Sequence, residues 1–217
     1  MNSAQKKNSS LANSKGVWII GAIIGCVIAV AAIVAITSSS DTSNTTEPLS
    51  EYSVVTVTGD VLPPHGSDAT DAAVGMTAPV LTGKGFFGNI VTTTPGTPTL
   101  LVFLAHWCPH CQNEVPLLVE WEKSGDMPAG VDLIAIATST DPANPNYPPS
   151  AWLARENFPA LWPVMTDSKE NTAGNAFGLS GYPFFVLLDA NGKVVQRMSG
   201  EIPMSQLTTL LQTVVTS

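Results

Sequence analysis

Three hydrophobic patterns succeed one another along the chain. The first is an unbroken apolar run, Val17 to Ile36, which contains no charged residue. As a helix rising about 1.5 Å per residue it spans roughly 30 Å, the thickness of a bilayer's hydrocarbon core. The second is a polar stretch, residues 37–50, rich in Ser, Thr and Asn, with almost nothing to bury. The third, from Val74 onward, alternates short apolar runs with segments of helical periodicity. Leu100–Leu104, apolar throughout, and Val131–Ala137, apolar except for Asp132, predict buried central strands. Trp162–Met165, Phe184–Leu188 and Lys193–Ser199 predict three more. Helices are expected from Cys108 to Lys123, kinked at Pro116, then from Ser150 to Asn157, from Asp167 or Ser168 to Gly178, and from Pro203 to Val215. Asp189-Ala-Asn-Gly192 marks a hairpin turn. Between tether and core, Ser53–Thr58 has strand composition and Pro63-Pro64-His65-Gly66 reads as a loop.

The order is strand, helix, strand, helix, strand, helix, then a hairpin and a last helix. Parallel βαβ units finished by an antiparallel hairpin predict an α/β three-layer sandwich, a mixed sheet with helices on both faces. The expected organisation is a tail (1–16), a transmembrane helix (17–36), a flexible linker (37–50), an N-terminal extension (51–73) and the α/β domain (74–217).

Charge refines this picture. The formal net charge is −8, and all 17 acidic residues lie from Asp41 onward, whereas Lys6, Lys7 and Lys15 precede the apolar run. Lysines before a span and none soon after it place the N-terminus in the cytoplasm and the remainder outside. An acidic domain repels phosphates, which argues against nucleic acid as a partner. Two rivals to an uncleaved anchor stand in the sequence. Ala29-Val-Ala31 has the form of a signal-cleavage site but lies inside the apolar run, and Ile23-Ile-Gly-Cys26 resembles a lipobox but is followed by more apolar residues. Within the span, Cys26 reads as a small apolar residue.

The chemistry centres on Trp107-Cys108-Pro109-His110-Cys111. A C-x-x-C pair at a strand-to-helix junction has the geometry of a reversible dithiol/disulfide. Pro109 suits the first helical turn, so Cys108 falls at the helix N-terminus, where unpaired N–H groups and the macrodipole favour the thiolate, the attacking form. Cys111, one turn along, is expected to be more buried and to stay protonated until needed. His110 is expected beside the Cys108 sulfur, where it would stabilise the thiolate and make the disulfide more oxidising. Alternatives exist. His106, Cys108, His110 and Cys111 include metal-ligand types, but His65 is the only other His or Cys outside the apolar run. Haem attachment wants a His after the second cysteine, and Gln112 stands there. A purely structural disulfide across two residues would stabilise little. Neither a cofactor nor a metal is expected.

The motifs around this site resemble those of the thioredoxin-fold proteins, and among them the membrane-anchored TlpA/ResA-like thiol–disulfide oxidoreductases. Gly75-Met-Thr-Ala-Pro79 is similar to the group's G-x-x-A-P opening. Leu101 to Pro116 is similar to its strand and W-C-x-x-C-x-x-E-x-P stretch, Gly181-Tyr-Pro-Phe184 to its cis-proline loop, and Leu188 to Val194 to its last hairpin. The resemblance implies a thioredoxin-like fold, a cis peptide before Pro183 facing the cysteines, and Tyr182 presenting backbone groups to a substrate strand. It implies that Glu114 is a proton acceptor for Cys111 and that Trp107 shields the site. Two departures stand out. The buried acid that thioredoxins place six residues before the first cysteine is replaced by Val102. The Pro109-His110 dipeptide is that of DsbA-like oxidases rather than of reductive TlpA-like proteins.

The expected function is therefore disulfide exchange with cysteine-containing exported proteins, leaning oxidising, with a membrane redox partner regenerating the site. The alternative is a reductive role, as in cytochrome c maturation. A thiol peroxidase would want a Thr where Ala105 stands. A partner-binding module would not need both cysteines.

Overall fold

The computed structural model describes residues 49–66 and 70–215. The apolar run 17–36 and the polar tail before it lie outside the described residues, as does the linker up to residue 48. Among the described residues no helix is long and apolar enough to cross a membrane.

Strand β4 (Thr99–Leu104) is buried at every position, as a strand covered on both faces must be. It pairs in parallel with β5 (Asp132–Ala137) and antiparallel with β7 (Phe184–Leu188). β6 (Val164–Thr166) extends the parallel side, and β8 (Val194–Ser199) the antiparallel side, giving the order β6-β5-β4-β7-β8. The architecture is a thioredoxin-like α/β fold with a central mixed sheet.

Side chains alternate across this sheet with the period of two that strand geometry imposes. Leu100, Val102 and Leu104 join one core with Val115, Leu118 and Trp121 of helix α1 (Pro109–Lys123). Leu207 and Leu211 of helix α4 (Met204–Val215) pack there too, as does Trp152 of helix α2 (Pro149–Arg155). Leu101 and Phe103 join the other core, with Ala173 and Ala176 of helix α3 (Thr172–Ala176), Phe177, and Leu62 of the N-terminal extension. Fully burying each large side chain contributes about 1.5–3 kcal/mol, so the two cores hold the sheet from both sides.

Several details differ from the sequence reading. A second, three-stranded antiparallel sheet is made by β1 (Thr56–Thr58), β2 (Val80–Lys84) and β3 (Ile90–Thr92). Only β1 was expected, over a longer span. The other two are short and carry Thr and Gly where a strand pattern wants apolar residues. β6 begins at Val164 rather than Trp162, because Trp162 turns into the first core and Pro163 has no N–H for a ladder. Its carbonyl accepts from Ala135 N–H instead.

The helix ends are also tied differently. Ser150 sits inside α2 rather than capping it, and the acceptor at that end is the buried Glu51. The Glu51 carboxylate takes the Ser150 N–H at 3.1 Å and the Ser150 hydroxyl as well. Helix α3 is shorter than expected, and Asp167 holds its start from a distance, accepting from Ala173 N at 2.8 Å and Gly174 N at 3.1 Å. Gly178 follows with φ +65°, the left-handed conformation that ends helices. A Cβ there would lie 2.2 Å from the Pro63 carbonyl oxygen.

Candidate active site

Helix α1 begins immediately after the loop that leaves β4. Cys108 is its N-cap, with extended backbone (φ −75°, ψ 121°), and Pro109 follows in the first turn. The chain adopts this break because Pro109 needs no N–H partner at that position and disfavours helical angles for the residue before it. The loop is held by Cys108 N–H donating to Ala105 O at 3.0 Å. Both cysteines are free thiols. Cys108 retains 6% exposure and Cys111 none, so a partner can reach only the first sulfur. Burial pushes the Cys111 thiol far up, and the neighbouring Cys108 and Glu114 charges add to that. It stays protonated at neutral pH.

Pro183 immediately precedes β7, and Tyr182 before it meets Cys108. The Tyr182–Pro183 peptide is cis, as the motif predicts. The Cys108 thiol donates to the Tyr182 carbonyl at 3.6 Å. This places a backbone acceptor beside the more accessible of the two sulfurs. The Tyr182 hydroxyl makes a short hydrogen bond with Ser139 Oγ, and its ring meets Trp107 edge-on at 5.7 Å. Burial raises the Tyr182 phenol above its ordinary value, and that hydrogen bond partly offsets the effect. Trp107 Nε1 in turn donates to Ser139 O at 2.8 Å. Ser139 itself sits in the left-handed region (φ 49°), and its N–H donates to Asn171 Oδ1 at 2.9 Å. Trp107, Ser139 and Tyr182 thus form one wall of the site.

Glu114 lies on the inner face of α1, fully buried beneath the cysteines. Its carboxyl is raised to about 7, because burial penalises the anion and Glu201 repels it, while the Ile202 N–H stabilises it in part. That N–H donates to Oε1 at 3.3 Å and Oε2 at 3.4 Å. A carboxylate poised near neutrality beside a protonated buried thiol is the pairing that proton transfer requires.

His110 is placed otherwise than expected. It is exposed in the first turn of α1, and its Nδ1 lies 2.7 Å from Glu201 Oε1 rather than against the Cys108 sulfur. Asn113 Nδ2 donates to the same Glu201 oxygen at 3.1 Å. His110 and Asn113 hold Glu201 below the ordinary carboxylate value. Glu201 and Ser139 were not singled out from the sequence. Each meets the motif across a long sequence separation, and neither is of a type that flags itself.

His106 is buried behind the motif. Its Nδ1 donates to Pro145 O at 2.7 Å and its Nε2 accepts from Asp141 N–H at 3.2 Å, so its role is to tie down the following loop. His65 lies elsewhere, against Ser180 and Phe184. Among the described residues no group of three or more His, Cys, Asp or Glu is placed to hold a metal ion.

Comparison with known proteins agrees with this geometry. Residues 73–211 match the family described as Redoxin. The chain belongs to the redoxin family. Within it the chain is TlpA/ResA-like: it is 26% identical over 154 residues to the thiol-disulfide oxidoreductase ResA of Geobacillus thermodenitrificans, covering 68% of this chain and 82% of that one. Its fold is similar to a thioredoxin-family thiol:disulfide interchange protein from Chlorobium tepidum, with TM-score 0.53 and 23% identity over 67% of this chain and 99% of that one. It is also similar to StoA from Bacillus subtilis, with TM-score 0.51 and 18% identity over 64% of this chain and 98% of that one. This redoxin is a thiol–disulfide oxidoreductase.

Proposed function

We propose that this redoxin exchanges disulfides with cysteine-containing exported proteins on the outer side of a membrane, anchored there by residues 17–36. The observation that carries the reading is the asymmetry of the dithiol. Cys108 is the accessible N-cap beside the Tyr182 carbonyl, whereas Cys111 is sealed, protonated and next to Glu114.

In the oxidising direction a substrate thiolate attacks Cys108 of the Cys108–Cys111 disulfide, and Cys111 leaves and takes a proton. A second substrate thiolate then attacks the substrate sulfur of the mixed disulfide and releases Cys108 as thiolate. The substrate gains a disulfide and the protein gains two electrons, which a membrane redox partner removes. In the reducing direction the Cys108 thiolate attacks a substrate disulfide. Cys111 then passes its proton to Glu114, attacks Cys108 Sγ and frees the second substrate sulfur.

Pro109-His110 favours the oxidising direction. The pairing of His110 with Glu201 favours the reducing one, because it draws the imidazole away from the sulfur it would stabilise. A potential near about −120 mV supports the first, and one below about −250 mV the second. A Cys111→Ala variant, expressed in cells and recovered with its thiols blocked, is expected to carry exported proteins disulfide-bonded to Cys108. Absence of any such adduct, with Cys108 still reactive to alkylating agents, would refute the reading.

A further inference from the structure

Two consecutive residues reach the dithiol from opposite sides. Glu201, exposed just beyond β8, accepts from His110 at 2.7 Å and from Asn113 at 3.1 Å. The next N–H, that of Ile202, turns inward to the Glu114 carboxylate. The turn between β8 and α4 therefore touches both groups that act on the cysteines.

Cys108 itself directs its thiol to Tyr182 O, and His110 makes no hydrogen bond to it. Glu201 is the charged partner of His110 among the described residues. Asn113 lies one helical step from His110 on the same face of α1, so it braces the carboxylate in that place.

We propose that Glu201 is a positioning residue for the dithiol: by holding the His110 ring against its own carboxylate it withholds the imidazole from the Cys108 thiolate, and so makes the Cys108–Cys111 disulfide less oxidising than its Cys-Pro-His-Cys motif implies. The inference rests on Cys108 and Cys111 being the redox couple.

The sign follows from the charges. Reducing the disulfide breaks the Sγ–Sγ bond, takes two electrons from a donor dithiol that becomes a disulfide, leaves Cys108 as thiolate and puts a proton on Cys111. Any positive charge near Cys108 favours this reduced form. Held against the Glu201 carboxylate, any positive charge on His110 is offset and offers the thiolate little. Removing the carboxylate frees the ring to turn toward the Cys108 thiolate, as a hydrogen-bond donor or as a cation, and the disulfide becomes more oxidising.

The test is equilibration of the full-length protein with glutathione redox buffers. Glu201→Gln is expected to shift the equilibrium constant toward a stronger oxidant by about three- to fivefold, the scale of one exposed ion pair. Glu201→Asp, which keeps the charge, should recover most of the wild-type value. In a His110→Ala background, Glu201→Gln should have no effect. An unchanged constant in Glu201→Gln would overturn the proposal. An equal shift in the His110→Ala background would overturn it too, since the carboxylate would then act on the sulfur directly. A wild-type chain with no reversible couple at all would instead overturn the exchange reading, and this inference with it.

Discussion

Glu114 is subject to opposing demands, which its surroundings reconcile. Burial disfavours its charge, yet the role proposed for it as base to Cys111 requires that it lose its proton, and the Ile202 N–H brings the balance to about 7. Resolution by Cys111 should therefore accelerate as pH rises through about 7 in single-turnover kinetics. Glu114→Gln should remove that dependence and slow the step about a hundredfold. Stability should move the other way. Because the folded value is raised, folding takes up a proton, and stability falls as pH rises from the ordinary 4.5 to about 7. Glu114→Gln should accordingly be more stable than wild type at pH 8 and similar near pH 4, as read by denaturant midpoints. At this scale the sequence was informative where position follows from local rules. Pro109 puts Cys108 at the helix N-terminus whatever the rest of the chain does. It was uninformative for His110, whose direction is set by Glu201, 91 residues away.

Among the elements, α2 shows how a helix end can be supplied from another part of the chain. Its first residues, Pro149 and Ser150, offer no side-chain cap, and the acceptor comes from Glu51, 99 residues earlier. Glu51→Ala should therefore lower unfolding free energy by about 1–2 kcal/mol in urea titrations, the cost of losing a cap, with little effect on the potential of the dithiol. A cap made at such distance leaves no trace in a local pattern, which is why Ser150 was read as the cap itself. The strands divide the same way. β4, β5 and β7 were legible because each carries an uninterrupted run of five apolar residues, the signature of a strand buried on both faces. β2 and β3 were not, because Gly83 and the exposed Thr82, Ile90 and Thr92 mask the alternation.

Among the described residues, a buried cation ties the N-terminal extension to the central sheet. Arg197 on β8 is 3% exposed, and its Nε donates to Asp71 Oδ2 at 2.8 Å. Its Nη2 pairs with Asp71 Oδ1, and its Nη1 reaches the carbonyls of Pro63 and Phe177, both at 2.8 Å. Every donor group has a partner, so the charge is tolerated in the interior. Asp71→Asn would leave the guanidinium without its counter-charge and should cost about 2 kcal/mol near neutral pH. The Arg197 contact holds the Asp71 carboxyl below its ordinary 3.8. Its contribution is thus present above that value and lost as pH falls through the lower folded one, a dependence the Asn variant should lack in acid titrations.

The same cation gives the molecule an order of assembly. Residues 63 and 71 are made well before residue 197, so the Asp71 carboxylate and the Pro63 carbonyl wait without their buried partner until β8 arrives. The second core, to which Val194 of β8 belongs, therefore closes only after β8 has been made.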